Sequence, residues 1–241
     1  MCTVTYIPHK DKIFLTSSRD EKHSRADALV PKAYSFRTGK IFFPKDAQAA
    51  GTWIGLHENG NAMVLLNGGF KNHTPEYPYR KSRGLIFLEV MDSEWMLDTY
   101  KTISLEKIEP FTLIMYRQGE LYECRWDGKQ KYIVEKEINK PHIWSSVTLY
   151  DEEMIALRNK WFETFINNTE TPSQEAIFHF HHNGGNGTRE TDIRMNRGGE
   201  LYTVSITGIE WEQDKAIMKY IDLKNEQSHT SQFTFSIPQT L

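Results

Sequence analysis

The feature that most constrains this chain is its many short strand-like runs, some alternating with a period of two and others continuously apolar. TVTYI (3–7), KIFLTSS (12–18), TWIGL (52–56) and AMVLLN (62–67) each mix apolar with polar or small residues over four to seven positions, and the turn-like HENGN divides the last two. Such runs read as short strands, and their short separations make them antiparallel. FTLIMYRQ, ELYECRW and KYIVEKE repeat the pattern further on, with Asp127-Gly128 as a hairpin signal between the second and third. TRETDIRM, ELYTVSITGI and AIMKYIDL read as three closing strands.

Two regions break the period. From Ser82 to about residue 100, Leu85, Leu88, Met91 and Trp95 recur every three or four positions, which predicts a helix. A second begins behind Asp151, a good N-cap, with Met154, Leu157, Trp161 and Phe165 as its apolar stripe. A third follows at once. Thr171-Pro172-Ser173-Gln174 reads as a capping box with proline at the first helical position, and Asn183-Gly184-Gly185 ends it. The order is strands, helix, strands, helix pair, strands, with no repeat and no linker-like stretch. One α+β domain over residues 1–241, its helices on the outer faces of antiparallel sheets, fits that order.

Composition limits the partners. With 39% hydrophobic residues there is material for a core, and 29 basic against 32 acidic side chains leave a net charge of −3. That balance gives no electrostatic reason to expect nucleic acid or an anionic membrane. No apolar run is long enough for a membrane span, and no basic-then-apolar leader opens the chain, so a cytoplasmic location is expected. A small-molecule substrate or an apolar ligand is the expected partner. The oligomeric state is not legible.

Only two cysteines occur, Cys2 and Cys124. Cys124 lies in GELYECRWDG, where Tyr122, Cys124 and Trp126 share one strand face, and it reads as a small buried hydrophobe. Cys2 stands directly behind the initiator methionine. Once that methionine is trimmed, Cys2 carries a thiol and a free α-amine on one carbon. If TVTYI pairs with KIFLTSS as a hairpin, Arg19-Asp20-Glu21 at the end of the second strand flanks the start of the first. A guanidinium there favours the thiolate, and a carboxylate can hold the α-ammonium. Asn67 ends AMVLL, where a side-chain amide can donate to a developing oxyanion.

Other candidates are weaker. His179, His181 and His182 in FHFHHNGG are the most metal-like cluster, but they fall at a helix C-terminus and lack cysteine or acidic partners at a zinc spacing. NGGNGTR follows a helix instead of a strand and fails the context of a phosphate loop. No metal and no cofactor is expected.

Taken together, Met1-Cys2, Arg19-Asp20-Glu21, the GTWIG segment and Asn67 resemble the NRDE family, known in animals as transport and Golgi organisation protein 2. SRADAL, SRGLIF and GTRETDIRM extend the resemblance over most of the chain, most strongly over the first 90 residues. The family is similar to the N-terminal nucleophile hydrolases, and through them to the penicillin V acylase and bile salt hydrolase group. The resemblance implies a four-layer αββα sandwich of two antiparallel sheets covered by helices. It implies hydrolysis of a linear or cyclic C–N amide, with Cys2 as nucleophile, Arg19 and Asp20 beside it and Asn67 as oxyanion donor. The alternative it implies is a non-catalytic carrier of an apolar ligand such as haem or an acyl lipid. Ser18 stands where the family's name motif has asparagine, and Ser146 where the family tends to have Leu-Ser-Asn. Both, with Arg189, are expected substrate contacts.

Overall fold

A computed structural model describes residues 3–117 and 119–235. In chain order the first strands are β1 (Thr3–His9), β2 (Lys12–Lys22), β3 (Leu29–Phe36), β4 (Gly39–Lys45), β5 (Ile54–His57) and β6 (Ala62–Asn67). Helices α1 (Arg83–Met91) and α2 (Met96–Thr102) follow, then β7 (Phe111–Arg117), β8 (Glu120–Trp126), β9 (Lys131–Lys136) and β10 (His142–Ser145). The chain closes with α3 (Glu152–Asn167), α4 (Gln174–Asn183), β11 (Asn196–Arg197), β12 (Leu201–Glu212), β13 (Lys215–Asp222) and β14 (Gln227–Thr234).

These strands form two seven-stranded antiparallel sheets. One runs β10-β1-β2-β12-β13-β14 with β11 on β12; the other is an unbroken meander from β3 to β9. Val4, Tyr6, Leu15 and Ile209 of the first sheet share a core with Met63, Val64 and Ile114 of the second and with Ile86 and Phe87 of α1. The opposite face of the first sheet buries Ile7 and Phe14 against Phe162 of α3 and Ile177 and Phe180 of α4. The result is helix, sheet, sheet, helix, as expected. The β1–β2 hairpin is in the expected register, with Thr3 opposite Ser18. No described helix is long and apolar enough to cross a membrane.

Several expectations need correction. The helix over 82–100 is two helices, because polar side chains between them compete with the helical backbone. Asp92 accepts from the N–H and hydroxyl of Thr38, both at 2.8 Å, and Ser93 Oγ accepts from the N–H of Trp95 at 3.1 Å. On α3 the buried centre is Arg158 and Phe162; Leu157 of the expected stripe is exposed. The N-cap of α4 is Ser173, not Thr171, so Pro172 precedes the helix. TRETDIRM forms turns instead of a strand. The strands β3, β4, β10 and β14 were not legible: β3 and β14 are edge strands with few buried residues, and their sequences alternate only weakly.

Candidate functional site

Thr3, the first described residue, heads β1 between Ser18 of β2 and Ser145 of β10. Cys2, the expected nucleophile, lies outside the described residues. Near Thr3, Arg19 and Asp20 of β2 turn to opposite faces of the first sheet.

Arg19 turns toward the second sheet. Its Nη2 donates to Asp46 Oδ2 at 2.6 Å, Glu21 lies 3.9 Å away, and the guanidinium sits 4.4 Å from the Trp53 ring centroid. Asp46 also accepts from Arg25, at 3.0 Å and 3.3 Å, and from the N–H groups of Gln48 and Ala49 at 3.0 Å and 2.6 Å. Burial alone would raise this carboxyl, but the Ala49 N–H and the Arg25 and Arg19 guanidiniums hold it below the usual carboxylate range. The charge of Arg19 is therefore largely offset.

Asp20, next along β2, turns the other way. Its two oxygens accept from the hydroxyls of Thr203 and Tyr150, each at 2.6 Å. A β-bulge between Thr203 and Ser205 on β12 shifts the register here, so that Thr203 faces Asp20 while Ser205 faces Arg19. Arg19 and Asp20 thus do not pair with each other.

The two serines are fully buried and committed. Ser18 Oγ bonds His181 Nδ1 at 2.8 Å, and Ser146 Oγ donates to the Asn67 carbonyl at 2.8 Å. His181, expected to cap its helix, instead reaches into the sheet, where its Nε2 bonds Thr5 Oγ1 at 2.8 Å. Burial, with the nearby Arg158 charge, pulls its pKa down to about 3, so the ring is neutral. No group of potential metal ligands occurs among the described residues.

Arg19 and Asn67 line the same cavity, of about 720 Å³. One wall is the start of α1, packed so closely on the strand-leading Gly51-Thr52 that a Cβ on Gly84 would lie 2.9 Å from the Thr52 carbonyl oxygen. Arg80, Lys81 and Arg83 stand on this wall, and Lys81 is paired with Glu89 at 2.6 Å. Glu109 offsets Arg83 at 3.2 Å and also meets His73 at 3.2 Å. Arg80 instead donates to the carbonyls of Ser104 and Glu106, at 2.6 Å and 3.3 Å. Trp53, Leu65 and Leu85 supply apolar surface. Arg189 lies elsewhere, in a second cavity of about 670 Å³ with Arg194 and Asp192.

Sequence reading missed Asp46, Arg25, Tyr150, Thr203 and Arg158. Arg25 stood inside the quoted SRADAL; the rest carry no local signal, because the fold alone brings them to the head of β1.

The family model for Transport and Golgi organisation 2 matches residues 1–232. Among curated proteins no sequence matches. A single-residue variant of conjugated bile acid hydrolase from Clostridium perfringens superposes with a TM-score of 0.60 at 12% identity, with each chain covered over 100% of its length. A Caenorhabditis elegans N-acylethanolamine-hydrolyzing acid amidase ortholog superposes with a TM-score of 0.61 at 8% identity, over 86% of this chain and 92% of that one. At these identities the likeness is one of fold, and the fold is that of the N-terminal nucleophile hydrolases.

Proposed function

The chain belongs to the Transport and Golgi organisation 2 family, and on that premise we propose that it is an N-terminal cysteine hydrolase of a C–N amide bond in a small molecule. The observation that carries this reading is the convergence of Arg19, Asp20 and the end of β6 on the head of β1, beside a cavity lined by Arg19 and Asn67. Cys2 is joined to Thr3 by one peptide bond, so its Cα is within about 3.8 Å of that strand head.

In the proposed reaction the α-amine of Cys2 takes the thiol proton, directly or through water, and the thiolate attacks the amide carbonyl. Asp20, held rigid by two hydroxyls, keeps the N-terminus in place. Asn67 donates to the tetrahedral oxyanion; losing such a donor costs on the order of 100- to 1,000-fold in rate. The intermediate collapses to a thioester as the protonated amine leaves, and water hydrolyses it. Buried Ser18 and Ser146 act by holding His181 and the end of β6, not by touching substrate. Arg80, which no carboxylate pairs with among the described residues, and the apolar Trp53, Leu65 and Leu85 support an amide that carries an anionic group on one end and apolar surface on the other.

Two measurements test the proposal. Intact mass should show a chain lacking Met1, since a retained methionine would remove the base. A panel of N-acyl amino acids, penicillin V and acyl homoserine lactones should yield turnover that Cys2→Ala abolishes. Turnover surviving in Cys2→Ala would sink the mechanism, and tight binding without turnover would move the reading to a carrier.

A further inference from the structure

A buried charge without a counter-ion is costly, so a fold that keeps one invites a reason. Arg158 of α3 is fully buried. Among the described residues its guanidinium hydrogen-bonds only to neutral oxygens: Nη1 donates to Thr3 Oγ1, and Nη2 donates to the carbonyls of Thr191 at 3.1 Å and Asp192 at 2.5 Å. Among the described residues no carboxylate pairs with it, and its Nε has no partner. The guanidinium also lies 3.6 Å from the centroid of the Tyr150 ring, whose hydroxyl donates to Asp20.

One side chain therefore touches the head of β1 and, through Tyr150, the carboxylate beside it. The charged and titratable groups that face it leave its charge in place. Asp20 is reached only across the Tyr150 ring, and His181 of α4 is neutral. Arg197 lies over the same ring at 5.3 Å and adds positive charge. The Asp192 carboxylate accepts from the Asn186 N–H. Arg19, a further cation near the strand head, is offset by Asp46 at 2.6 Å.

We propose that Arg158 is a positioning residue of this site: seated on the head of β1 from α3, it supplies the positive potential that favours the thiolate of Cys2. The inference rests on the reading of Cys2 as nucleophile.

The test is the pH dependence of iodoacetamide alkylation at Cys2, followed by peptide mass spectrometry in the full chain. Wild-type Cys2 should alkylate with a midpoint below the ordinary thiol value of about 8.5. Arg158→Met and Arg158→Gln should raise that midpoint by about one pH unit and slow labelling near neutrality up to about tenfold. Arg158→Lys, which keeps the charge but not the fork, should stay close to wild type; a merely structural role would disturb Lys and Gln alike. Arg158→Gln retains an amide donor and guards against loss of folding in the Met variant, with circular dichroism as the check. Folded neutral variants whose profile overlays a depressed wild-type profile would overturn this inference alone. A wild-type Cys2 with an ordinary thiol profile would overturn it together with the nucleophile reading.

Discussion

Replacing Asp46 with asparagine should destabilise the protein by about 3 kcal/mol. The substitution keeps an oxygen for the N–H groups of Gln48 and Ala49 but removes the charge that faces Arg19 at 2.6 Å and Arg25 at 3.0 Å. Breaking one side of a buried ion pair costs about 3–5 kcal/mol, because the remaining charge is left desolvated. The lower end applies here, since Glu21 stands 3.9 Å from Arg19 and Arg25 is partly solvated. For a chain of this size about 1 kcal/mol moves Tm by roughly 2–4 °C, so thermal unfolding at pH 7 should shift down by about 6–12 °C. The pH dependence supplies a second check. The folded pKa of Asp46 is lowered, so its contribution is fully present above the unfolded value near 4 and is lost as pH falls through the folded value. The gap between wild type and Asp46→Asn should therefore be flat from pH 5 to 7 and close below about pH 4. A variant within about 0.5 kcal/mol of wild type at pH 7, or a gap that widens in acid, would refute the reasoning.

Further outcomes follow from the same geometry. His181 is neutral in the fold and takes up a proton only on unfolding, so stability should fall as pH drops below about 6.5, at up to about 1.4 kcal/mol per pH unit; chemical denaturation from pH 7 to 5 should show this slope, and His181→Gln should lose it. Burial pushes the Cys124 thiol up to about 12, so limiting iodoacetamide on the folded protein should label Cys2 and leave Cys124 intact until denaturant is added; preferential labelling of Cys124 would reverse the two environments. Gly84→Ala should cost about 1–3 kcal/mol, because its Cβ meets backbone atoms of Thr52 that cannot rotate away; an unchanged Tm would show that the start of α1 has room to move.

What the sequence disclosed, and what it did not, follows from the range of the signal. Strands announce themselves in any short window, either as an alternation, as in ELYECRW with Leu121, Cys124 and Trp126 buried, or as a short continuous apolar run buried on both faces, as in AMVLLN. The β1–β2 register was readable for the same reason, and it brought Arg19 and Asp20 to the strand head. Edge strands such as β14 bury little and so leave no pattern. Arg158 was hidden by a different effect: a charged residue at the centre of a helix's buried face runs against the apolar-stripe rule, and the stripe was assigned one position away, at Leu157. His181 was assigned to its helix terminus because its partners, Thr5 and Ser18, are remote in sequence. Asp46 and Thr203 likewise meet β2 only through strand pairing and loop closure.

The middle of the first sheet joins β2 to β12, so Lys22 pairs with Leu201 and Lys12 with Glu212. On a ribosome, where about 5–20 residues are added per second, the N-terminal hairpin emerges on the order of ten seconds or more before the strand that must flank it. In that interval β2 has β1 on one side and an open edge on the other, a species exposed to mispairing. The second sheet, a meander of neighbours, has no such wait and can close first. Thr203 arrives with β12, so the Asp20 cradle is assembled only at the end of synthesis. A chain truncated before residue 200 would then carry an intact Met1-Cys2 start and no finished site around it.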